Sequence, residues 1–575
     1  MASFVKYLPL AALVAGCASA QNGADYAPVT DMLRSEFYSV ETAGSQYGSF
    51  VAATLAQSDS EFAESAKYYL QALQVDPDSK FVADKAFFQL VYAGRLDDAA
   101  KVAVGMANNA AQEKSDDLVS ILFVLEAFNR NDWAGVRQRI NRVKMSGFGG
   151  LMSPLLEAWS FVAEGDFAAA ERSLAPMMVD QRLKPIADEH RAYMLDHLQS
   201  YDLAQAQYLL LADAAQPVSL QPFVSYAHML ARTGRIEEAR SFLGKQAERF
   251  NNNRFLIREG MLIAAGRTPS QSSANPRGAV GGMFYRLAGE FSRTSSPQAA
   301  VVYLRIASYL TPEVADIYFM LGDLMDQLDK PQAAAQVYGS VPQSSGLWQA
   351  ADERQINALR RAGQIAEAED RLRTSLRDNP KKPSYLISLG DILREREDFP
   401  EAILNYTQAI SLNDQARRQD WFAYFARAVC YEQLDDWPNA EADFLKALEL
   451  SPEEPSVLNY LGYSWIDRGM NISRAKGLIE KAVEQRPDDG FIVDSLGWVN
   501  FLTGDYTEAV KQLEKAVRME PDDVTINHHL GDAYWRVGRR IEARFQWQHA
   551  IDAKPDADEL SELLDKLDMG LPEES

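Results

Sequence analysis

Helix-ending prolines recur at a nearly constant spacing, and this period constrains the fold of the 575-residue chain more than any other feature. Pro452, Pro487, Pro521 and Pro555 are separated by 35, 34 and 34 residues. Proline ends a helix because it lacks an amide hydrogen and its ring clashes with the preceding turn. A fixed period of this length is typical of stacked helix pairs, in which each pair needs its neighbours to bury its apolar face. The period therefore predicts an all-α solenoid instead of the roughly four domains that length alone suggests.

Each unit ahead of these prolines carries a Leu-Gly pair or an equivalent, followed by a later series in which a bulky residue stands between two alanines. The small residue lets the second helix of a unit approach the first closely. The clearest units contain Leu461-Gly462 with Ala475, Ile479 and Ala482, Leu496-Gly497 with Ala509, Leu513 and Ala516, and Leu530-Gly531 with Ala543, Trp547 and Ala550. The pattern resembles the tetratricopeptide repeat (TPR). The resemblance implies a TPR-type helix-turn-helix repeat solenoid, which is an α-α superhelix.

The regularity of the pattern divides the chain into segments. A regular TPR array is predicted over 281–557, and an irregular, degenerate TPR-like array over 46–267, where helix pairs remain but the period is lost. The polar stretch TPSQSSANPRG indicates a linker at 268–280. Residues 558–575 are predicted to be a capping helix and an acidic tail, because the last repeat of a solenoid needs a polar cover over its apolar face.

The N-terminus has the features of an export signal. Lys6 precedes an apolar run that is too short to span a bilayer as a helix. The run ends in Val14-Ala15-Gly16-Cys17, which resembles a bacterial lipobox. The resemblance implies a lipoprotein signal peptide at 1–16, lipidation (palmitate) of Cys17 and a tether at 17–45. Ala18 is not the aspartate associated with inner-membrane retention, so an outer-membrane lipoprotein facing the periplasm is expected.

Two other interpretations of the N-terminus stay open. Ala18-Ser19-Ala20 also fits a signal-peptidase site, which would make the protein a soluble secreted periplasmic TPR assembly factor. The third interpretation is a cytosolic protein with an apolar N-terminus. No later stretch reaches about 18 apolar residues, so no second membrane segment is predicted.

Composition excludes several classes of partner and site. The formal net charge of −23 argues against nucleic acid, whose phosphates need a basic surface. The same charge disfavours adhesion of the body to anionic lipid, so the N-terminal lipid is expected to supply the only membrane attachment. Two cysteines are too few for a disulfide scaffold or a Cys-rich metal module. No cofactor is predicted.

The sequence contains none of the catalytic motifs HExxH, GxSxG or GxxxxGK[ST]. His190 and His197 share a helical face and offer the best candidates for a metal or catalytic site, but their spacing matches no established ligand pattern. Packed or surface histidines are the simpler interpretation, and Cys430 is expected to be a small buried residue. A non-catalytic protein without a metal site is predicted, and an envelope enzyme would require activity that depends on His190 or His197.

A binding groove is predicted on the first helices of the repeats, because these helices line the concave side of a solenoid. With the Leu-Gly pair at the seventh and eighth positions of a unit, the groove positions of the family are the second, fifth, ninth and twelfth. Aromatic side chains among scattered polar groups are suited to anchor a protein or peptide. The alternative is that neighbouring repeats simply bury these rings. The candidates are Arg394, Phe422, Phe425, Asn459, Tyr463, Asp494, Trp498, Phe501, His528, Asp532 and Trp535.

Co-chaperone members of the family use Lys and Asn at the fifth and ninth positions to hold a carboxylate, and that pattern is absent here. The segments 458–464 (LNYLGYS) and 494–498 (DSLGW) resemble paired C-terminal repeats of long TPR lipoproteins of Gram-negative bacteria. That group includes outer-membrane adaptors of a periplasmic carboxyl-terminal processing protease and of cell-wall hydrolases. The resemblance implies a non-catalytic scaffold or adaptor for protein partners, such as a periplasmic protease or cell-wall machinery.

Overall fold

The computed structural model describes residues 46–58, 61–109, 117–142, 147–214, 219–266, 274–293, 296–415 and 421–572. These residues form thirty α-helices and no β-strand, which confirms the all-α prediction. None of the described helices combines the length and the apolar character that a membrane crossing requires. Contacts divide the chain into two compact units, Met1–Gln364 (unit 1) and Ile365–Ser575 (unit 2).

The described part of unit 1 consists of antiparallel helices joined by short turns. Its helices are α1 (Gln46–Ser58), α2 (Phe62–Val75), α3 (Lys80–Tyr92), α4 (Leu96–Asn109), α5 (Asp117–Asn129), α6 (Trp133–Arg142), α7 (Gly147–Val162), α8 (Phe167–Val179), α9 (Lys184–His197), α10 (Tyr201–Asp213), α11 (Gln221–Arg232), α12 (Ile236–Arg249), α13 (Arg254–Ala264), α14 (Pro276–Arg293), α15 (Pro297–Leu310), α16 (Ala315–Gln327), α17 (Pro331–Tyr338) and α18 (Trp348–Arg361).

Unit 2 continues the same helix-turn-helix pattern with a more constant period. Its described helices are α19 (Ile365–Asp378), α20 (Pro383–Glu395), α21 (Phe399–Gln415), α22 (Trp421–Gln433), α23 (Trp437–Leu450), α24 (Pro455–Asp467), α25 (Ile472–Gln485), α26 (Gly490–Leu502), α27 (Tyr506–Met519), α28 (Val524–Arg536), α29 (Arg540–Asp552) and α30 (Ala557–Met569).

The glycine of each Leu-Gly pair allows the two helices of a unit to pack closely. A Cβ on Gly531 in α28 would lie 2.4 Å from the ring of Trp547 in α29, and a Cβ on Gly497 in α26 would lie 2.5 Å from Leu513 in α27. Trp547 and Leu513 are both fully buried. The small and bulky positions of the repeat therefore meet as the sequence pattern predicts.

The turns between paired helices use residues that accept a left-handed backbone. Gly504 has a φ of 81° and Gly538 has a φ of 83°, conformations that glycine adopts without a steric cost. After Gly504, the carboxylate of Asp505 accepts a hydrogen bond from the backbone nitrogen of Glu508 at 3.2 Å and so caps the start of α27. Such turns reverse the chain within a few residues and keep the two helices antiparallel.

Unit 1 also contains contacts between helices that are far apart in the sequence. Helix α15 packs against α3 and α4, and α14 packs against α7. The guanidinium of Arg305 donates a hydrogen bond from Nε to the carbonyl oxygen of Tyr92 at 3.1 Å, across 213 residues of sequence. The irregular helices thus form a compact unit in addition to stacking in chain order.

The segment predicted as a linker at 268–280 is only partly described, since residues 267–273 lie outside the described residues. Its later part starts a helix, because Asn275 Oδ1 accepts a hydrogen bond from the backbone nitrogen of Gly278 at 2.8 Å and Pro276 suits a first helical position. Arg277 also donates to Asn131 Oδ1 at 3.2 Å. The division between the two compact units falls at Gln364. The domain boundaries predicted from the sequence stay predictions.

Candidate protein-binding groove

The first helices of successive repeats in unit 2 lie beside one another: α20 contacts α22, α24 contacts α26, and α26 contacts α28. The second, fifth, ninth and twelfth positions of these helices are three or four residues apart and therefore share one side of each helix. We call this set of positions the inner face. It contains all eleven groove candidates predicted from the sequence.

At α20 and α22 the inner face is partly occupied by internal packing. The Phe425 ring lies 5.4 Å from the ring of Tyr460 and 6.0 Å from that of Phe444, so much of it supports the fold. Phe422 is half-buried and meets the ring of Trp421 edge-on at 5.8 Å. Arg394 is half-buried, and its Nε has no hydrogen-bond partner among the described residues.

At α24 the polar groups of the inner face are not used by the fold. Asn459 buries its Oδ1 without a hydrogen-bond partner in the described part of the chain. Tyr463, one turn later, is half-buried, and its hydroxyl also has no partner among the described residues. Burial and the nearby carboxylates of Asp494 and Asp467 raise the pKa of Tyr463 to about 12, so the hydroxyl keeps its proton and can donate it in a hydrogen bond. These groups do not explain the stability of the fold, since an unpaired buried acceptor lowers it.

At α26 the inner face carries a stack of rings. The Trp498 ring lies between His529, at a centroid distance of 3.9 Å, and Phe501, at 4.8 Å, with interplanar angles of 14° and 8°. His529 Nδ1 is 3.0 Å from both carboxylate oxygens of Asp494. Asp494 therefore holds the imidazole in the orientation that stacks on the indole, and the predicted groove residues of α26 are brought together.

At α28 the inner face is covered by the C-terminal helix α30. His528 Nδ1 is 3.1 Å from Glu559 Oε1, and His528 Nε2 is 2.6 Å from Lys566 Nζ. Lys566 also donates to Asp532 Oδ2 at 2.8 Å, while Trp547 Nε1 donates to Asp532 Oδ1 at 2.9 Å. For His528 and Asp532 the structure thus favours the alternative stated above, burial by a neighbouring helix.

Trp535 is covered in the same way. A Cβ on Gly570 would lie 1.9 Å from the Trp535 ring, so the chain that follows α30 passes directly over the indole. The guanidinium groups of Arg540 and Arg544 lie 5.1 and 5.0 Å from the ring centroid. The predicted groove role of His528, Asp532 and Trp535 therefore requires α30 to move away.

Two residues, one beside the inner face and one on it, were missed by the sequence analysis. His529 follows a candidate directly and completes the ring stack, but nothing in the repeat pattern distinguishes it from a packed histidine. Phe491 is 55% exposed at the second position of its unit, in the same register as Phe422, and the position rule alone could have found it. Because α30 covers the inner face only at α28 among the described helices, the uncovered part of the inner face runs from α20 to α26.

The histidines considered for catalysis lie in unit 1. His190 is fully buried and accepts a hydrogen bond from Trp159 Nε1 at 3.0 Å, while its Nε2 has no partner among the described residues. Burial lowers its pKa to about 4. His197 Nδ1 lies 3.0 Å from the carbonyl oxygen of Ala274. No group of three or more potential metal ligands occurs within the described residues.

The two cysteines differ in what the structure says of them. Cys17, the predicted lipidation site, lies outside the described residues. Cys430 is fully buried, and burial raises the pKa of its thiol to about 12. The prediction that Cys430 packs as a small buried residue is confirmed.

Comparison with known families gives three matches. Two family models described as tetratricopeptide repeat match residues 354–416 and 421–454, and one described as TPR repeat matches residues 499–538. A TPR repeat-containing protein of Pseudomonas aeruginosa is 30% identical over 196 residues, which is 34% of this chain and 32% of that protein. The Hsp70-Hsp90 organizing protein 1 of Glycine max is 30% identical over 101 residues, 18% of this chain and 17% of that protein. The chain thus spans about a third or less of the length of these relatives.

Solved structures of low identity also align. The Cut9-Hcn1 assembly of the APC/C is 13% identical, with a TM-score of 0.39 over 92% of this chain and 97% of that one. A tetratricopeptide repeat protein of Parabacteroides merdae is 18% identical, with a TM-score of 0.35 over 44% of this chain and 98% of that one. The match over 499–538 contains the turns at Gly504 and Gly538 described above. The chain contains tetratricopeptide repeats within residues 354–538, and its described helices form an all-α TPR-type fold.

Proposed function

We propose that this TPR protein is a non-catalytic scaffold, anchored in the bacterial envelope through lipidated Cys17, which binds a protein or peptide partner on the uncovered inner face of unit 2. TPR repeats support protein–protein interaction in general. The observation that carries the proposed site is the state of α24, where Asn459 and Tyr463 present polar groups that the fold leaves without partners. Half-buried rings flank them at Phe425 and Trp498.

This arrangement suits an extended segment of a partner chain. Such a segment needs hydrogen bonds for its backbone and apolar surfaces for its side chains. Helix α24 offers polar groups for these hydrogen bonds, and the rings of Phe425 and Trp498 on either side offer the apolar surfaces. The exposed ring of Phe491 extends the apolar surface beyond α24. Binding would also satisfy an amide that is incompletely paired in the free protein.

The sharper form of the proposal is an adaptor that presents substrates to a periplasmic protease or to cell-wall machinery. It is supported by the lipobox-like sequence ending at Cys17 and by the resemblance of 458–464 and 494–498 to envelope TPR lipoproteins. The acidic body supports it in one further respect. A protein of net charge −23 gains nothing from an anionic membrane surface and needs a lipid anchor to stay there.

Photo-crosslinking in the native envelope tests the groove. A photo-reactive residue placed at Tyr463 is expected to trap a defined envelope protein. The matched control is the same residue at Phe545, which is 67% exposed on α29, away from the inner face. Asn459→Ala combined with Tyr463→Phe should reduce capture from a neighbouring inner-face site by about thirtyfold, since each of the two lost hydrogen bonds contributes ~1 kcal/mol. Identical sets of trapped proteins at Tyr463 and Phe545 would refute the groove.

The anchor has an independent test. Metabolic labelling with a fatty acid should mark the wild-type protein and not Cys17→Ser, and the variant should leave the membrane fraction. Absence of label from both proteins would disprove the anchor while leaving the groove intact. Recovery of a processing protease or a cell-wall hydrolase with the crosslinked complex would support the adaptor form, and a crosslinked partner of neither kind would contradict it.

A further inference from the structure

Unit 1 contains a cavity of ≈480 Å³ that no part of the groove uses. It lies where the ends of α3, α4 and α5 meet α15, α16 and α17, two groups of helices that are far apart in the sequence. Ligand sites in proteins generally have volumes of about 300–1,000 Å³ and form where separate elements converge. The cavity therefore has the size and position of a small binding site.

Arg305 supplies the positive charge in the wall of this cavity. Its Nε donates to the carbonyl oxygen of Tyr92 at 3.1 Å, which fixes the plane of the guanidinium. Neither terminal nitrogen is paired with a carboxylate among the described residues, whereas other arginines of unit 1, such as Arg232 and Arg286, pair with Asp196 and Glu189. Burial lowers the pKa of Arg305 to about 10, so the group is still charged at neutral pH.

The backbone is shaped to admit this side chain. Gly94 has a φ of 78°, and a Cβ on it would lie 2.6 Å from Arg305 Nη1. Both the left-handed conformation and the close approach require glycine at this position. The guanidinium thus lies against the turn between α3 and α4.

The remaining polar groups limit the charge that the cavity can accept. Tyr309 and Tyr318 line it, and burial raises the pKa of both hydroxyls, so both keep their protons at neutral pH. The Tyr309 hydroxyl is engaged by Asn129 and Asp97, which leaves the Tyr318 hydroxyl as the donor to a ligand. Asp97 is the carboxylate in the lining, and it forms no ion pair with Arg305. Because the lining holds a single guanidinium and one carboxylate, it disfavours a polyanion, and Arg305 can pair with one carboxylate group of a ligand.

We propose that this cavity binds a monocarboxylate, with the guanidinium of Arg305 as its counter-ion and the hydroxyl of Tyr318 as a further donor. Arg305 is half-buried and has no carboxylate partner among the described residues, and a charge withdrawn from water destabilises a protein unless something compensates it. A carboxylate compensates a guanidinium best, because two parallel N–H donors match its two oxygens. The carboxylate can belong to the end of a peptide or to a small organic acid, and the two sources share the same contacts at Arg305.

Calorimetric titration of the full chain tests the proposal without any variant. N-acetyl-trialanine is expected to bind with a Kd of about 1 mM or lower, and its C-terminal amide about tenfold more weakly or worse, because the amide carries no charge. Tighter binding of acetate than of N-acetyl-trialanine would assign the site to small acids. Tighter binding of inorganic phosphate than of either carboxylate would overturn the monocarboxylate assignment.

Variants then locate the binding. Arg305→Gln should weaken N-acetyl-trialanine about tenfold or more, since it removes a charge-assisted hydrogen bond. Arg172→Gln, which changes an exposed arginine of α8 outside the cavity, should leave the Kd within about twofold. Tyr318→Phe removes one hydroxyl and serves if Arg305→Gln fails to fold. Binding that is unchanged in the folded Arg305→Gln protein, or no binding of either carboxylate to the wild type at about 10 mM, would refute the proposal.

Discussion

The α24 and α28 segments of the inner face are built from one repeat pattern but differ in what covers them. On α28, the side chains at the fifth, ninth and twelfth positions all contact α30 or the residues after it. On α24, the fifth and ninth positions leave polar groups without partners. The comparison teaches that repeat register determines which face a side chain occupies, while the neighbouring helix determines whether that face is available to a partner.

Removal of the cover should have the largest effect. Leu563 of α30 is fully buried against Leu530, Tyr534 and Trp547. Leu563→Ala is expected to reduce the free energy of unfolding by ~2–5 kcal/mol, because it leaves a cavity in the last repeat. Chemical denaturation measures this change, and hydrogen exchange should show that protection is lost in α28 before α24.

Leu564→Ala is the matched control, because Leu564 follows Leu563 in the same helix and is 51% exposed. This variant should change the free energy of unfolding by less than ~0.5 kcal/mol. If both variants lose stability equally, α30 contributes through its helical structure and not through the cover that it forms over α28. In that case the contrast between the two segments would no longer hold.

The helix pairs beneath both segments should respond alike to a change at the eighth position. A Cβ on Gly531 would lie 2.4 Å from Trp547, and a Cβ on Gly462 would lie 2.8 Å from Ile479. Either Gly→Ala variant is expected to reduce the free energy of unfolding by ~1–3 kcal/mol, because the ring or side chain must shift. Thermal unfolding followed by circular dichroism measures both.

Gly477→Ala provides the control, since no atom outside its own helix lies within 4 Å of the added Cβ. It should raise the free energy of unfolding by ~0.5–1 kcal/mol through the helix propensity of alanine. A loss of stability in this variant would mean that the glycine contacts do not explain the effect at Gly462 and Gly531.

The helix pairs were predictable from the sequence because their determinants are local. Gly531 and Trp547 are 16 residues apart, as are Gly497 and Leu513, and Gly462 and Ile479 are 17 apart, so the repeat places such pairs at nearly the same offset. The contact between Arg305 and Tyr92 spans 213 residues and follows no period, so the sequence contained no signal for it. The contact of α30 with His528 likewise follows no sequence period. The sequence predicted a capping helix but not that Glu559 and Lys566 would pair with the inner face.

The two segments should also differ in how an asparagine contributes to stability. Asn527 of α28 is fully buried and donates from Nδ2 to the carbonyl oxygens of Pro521 at 2.8 Å and Asp523 at 2.7 Å. Asn527→Ala should reduce the free energy of unfolding by ~1–3 kcal/mol, whereas Asn459→Ala should change it by less than ~0.5 kcal/mol, because Asn459 Oδ1 has no bond to lose. Urea denaturation of the two variants checks this difference. Equal losses would show that α24 uses its asparagine for folding.

The smallest expected effect is a pH dependence of the cover. The hydrogen bond from Lys566 lowers the pKa of Glu562, which belongs to the network around His528. Because the pKa in the folded state lies below the unfolded value of 4.5, this interaction stabilises α30 above pH 4.5 and is lost as the pH falls below it. The contribution is ~0.2–0.5 kcal/mol, since the Glu562 side chain is 56% exposed and screened by solvent.

Hydrogen exchange in α30 at about pH 6 and pH 4 should therefore show a smaller loss of protection in Glu562→Gln than in the wild type. Asp565→Asn, an exposed acid of the same helix, should behave like the wild type. If all three proteins lose protection equally, Glu562 does not help to hold α30 over the inner face.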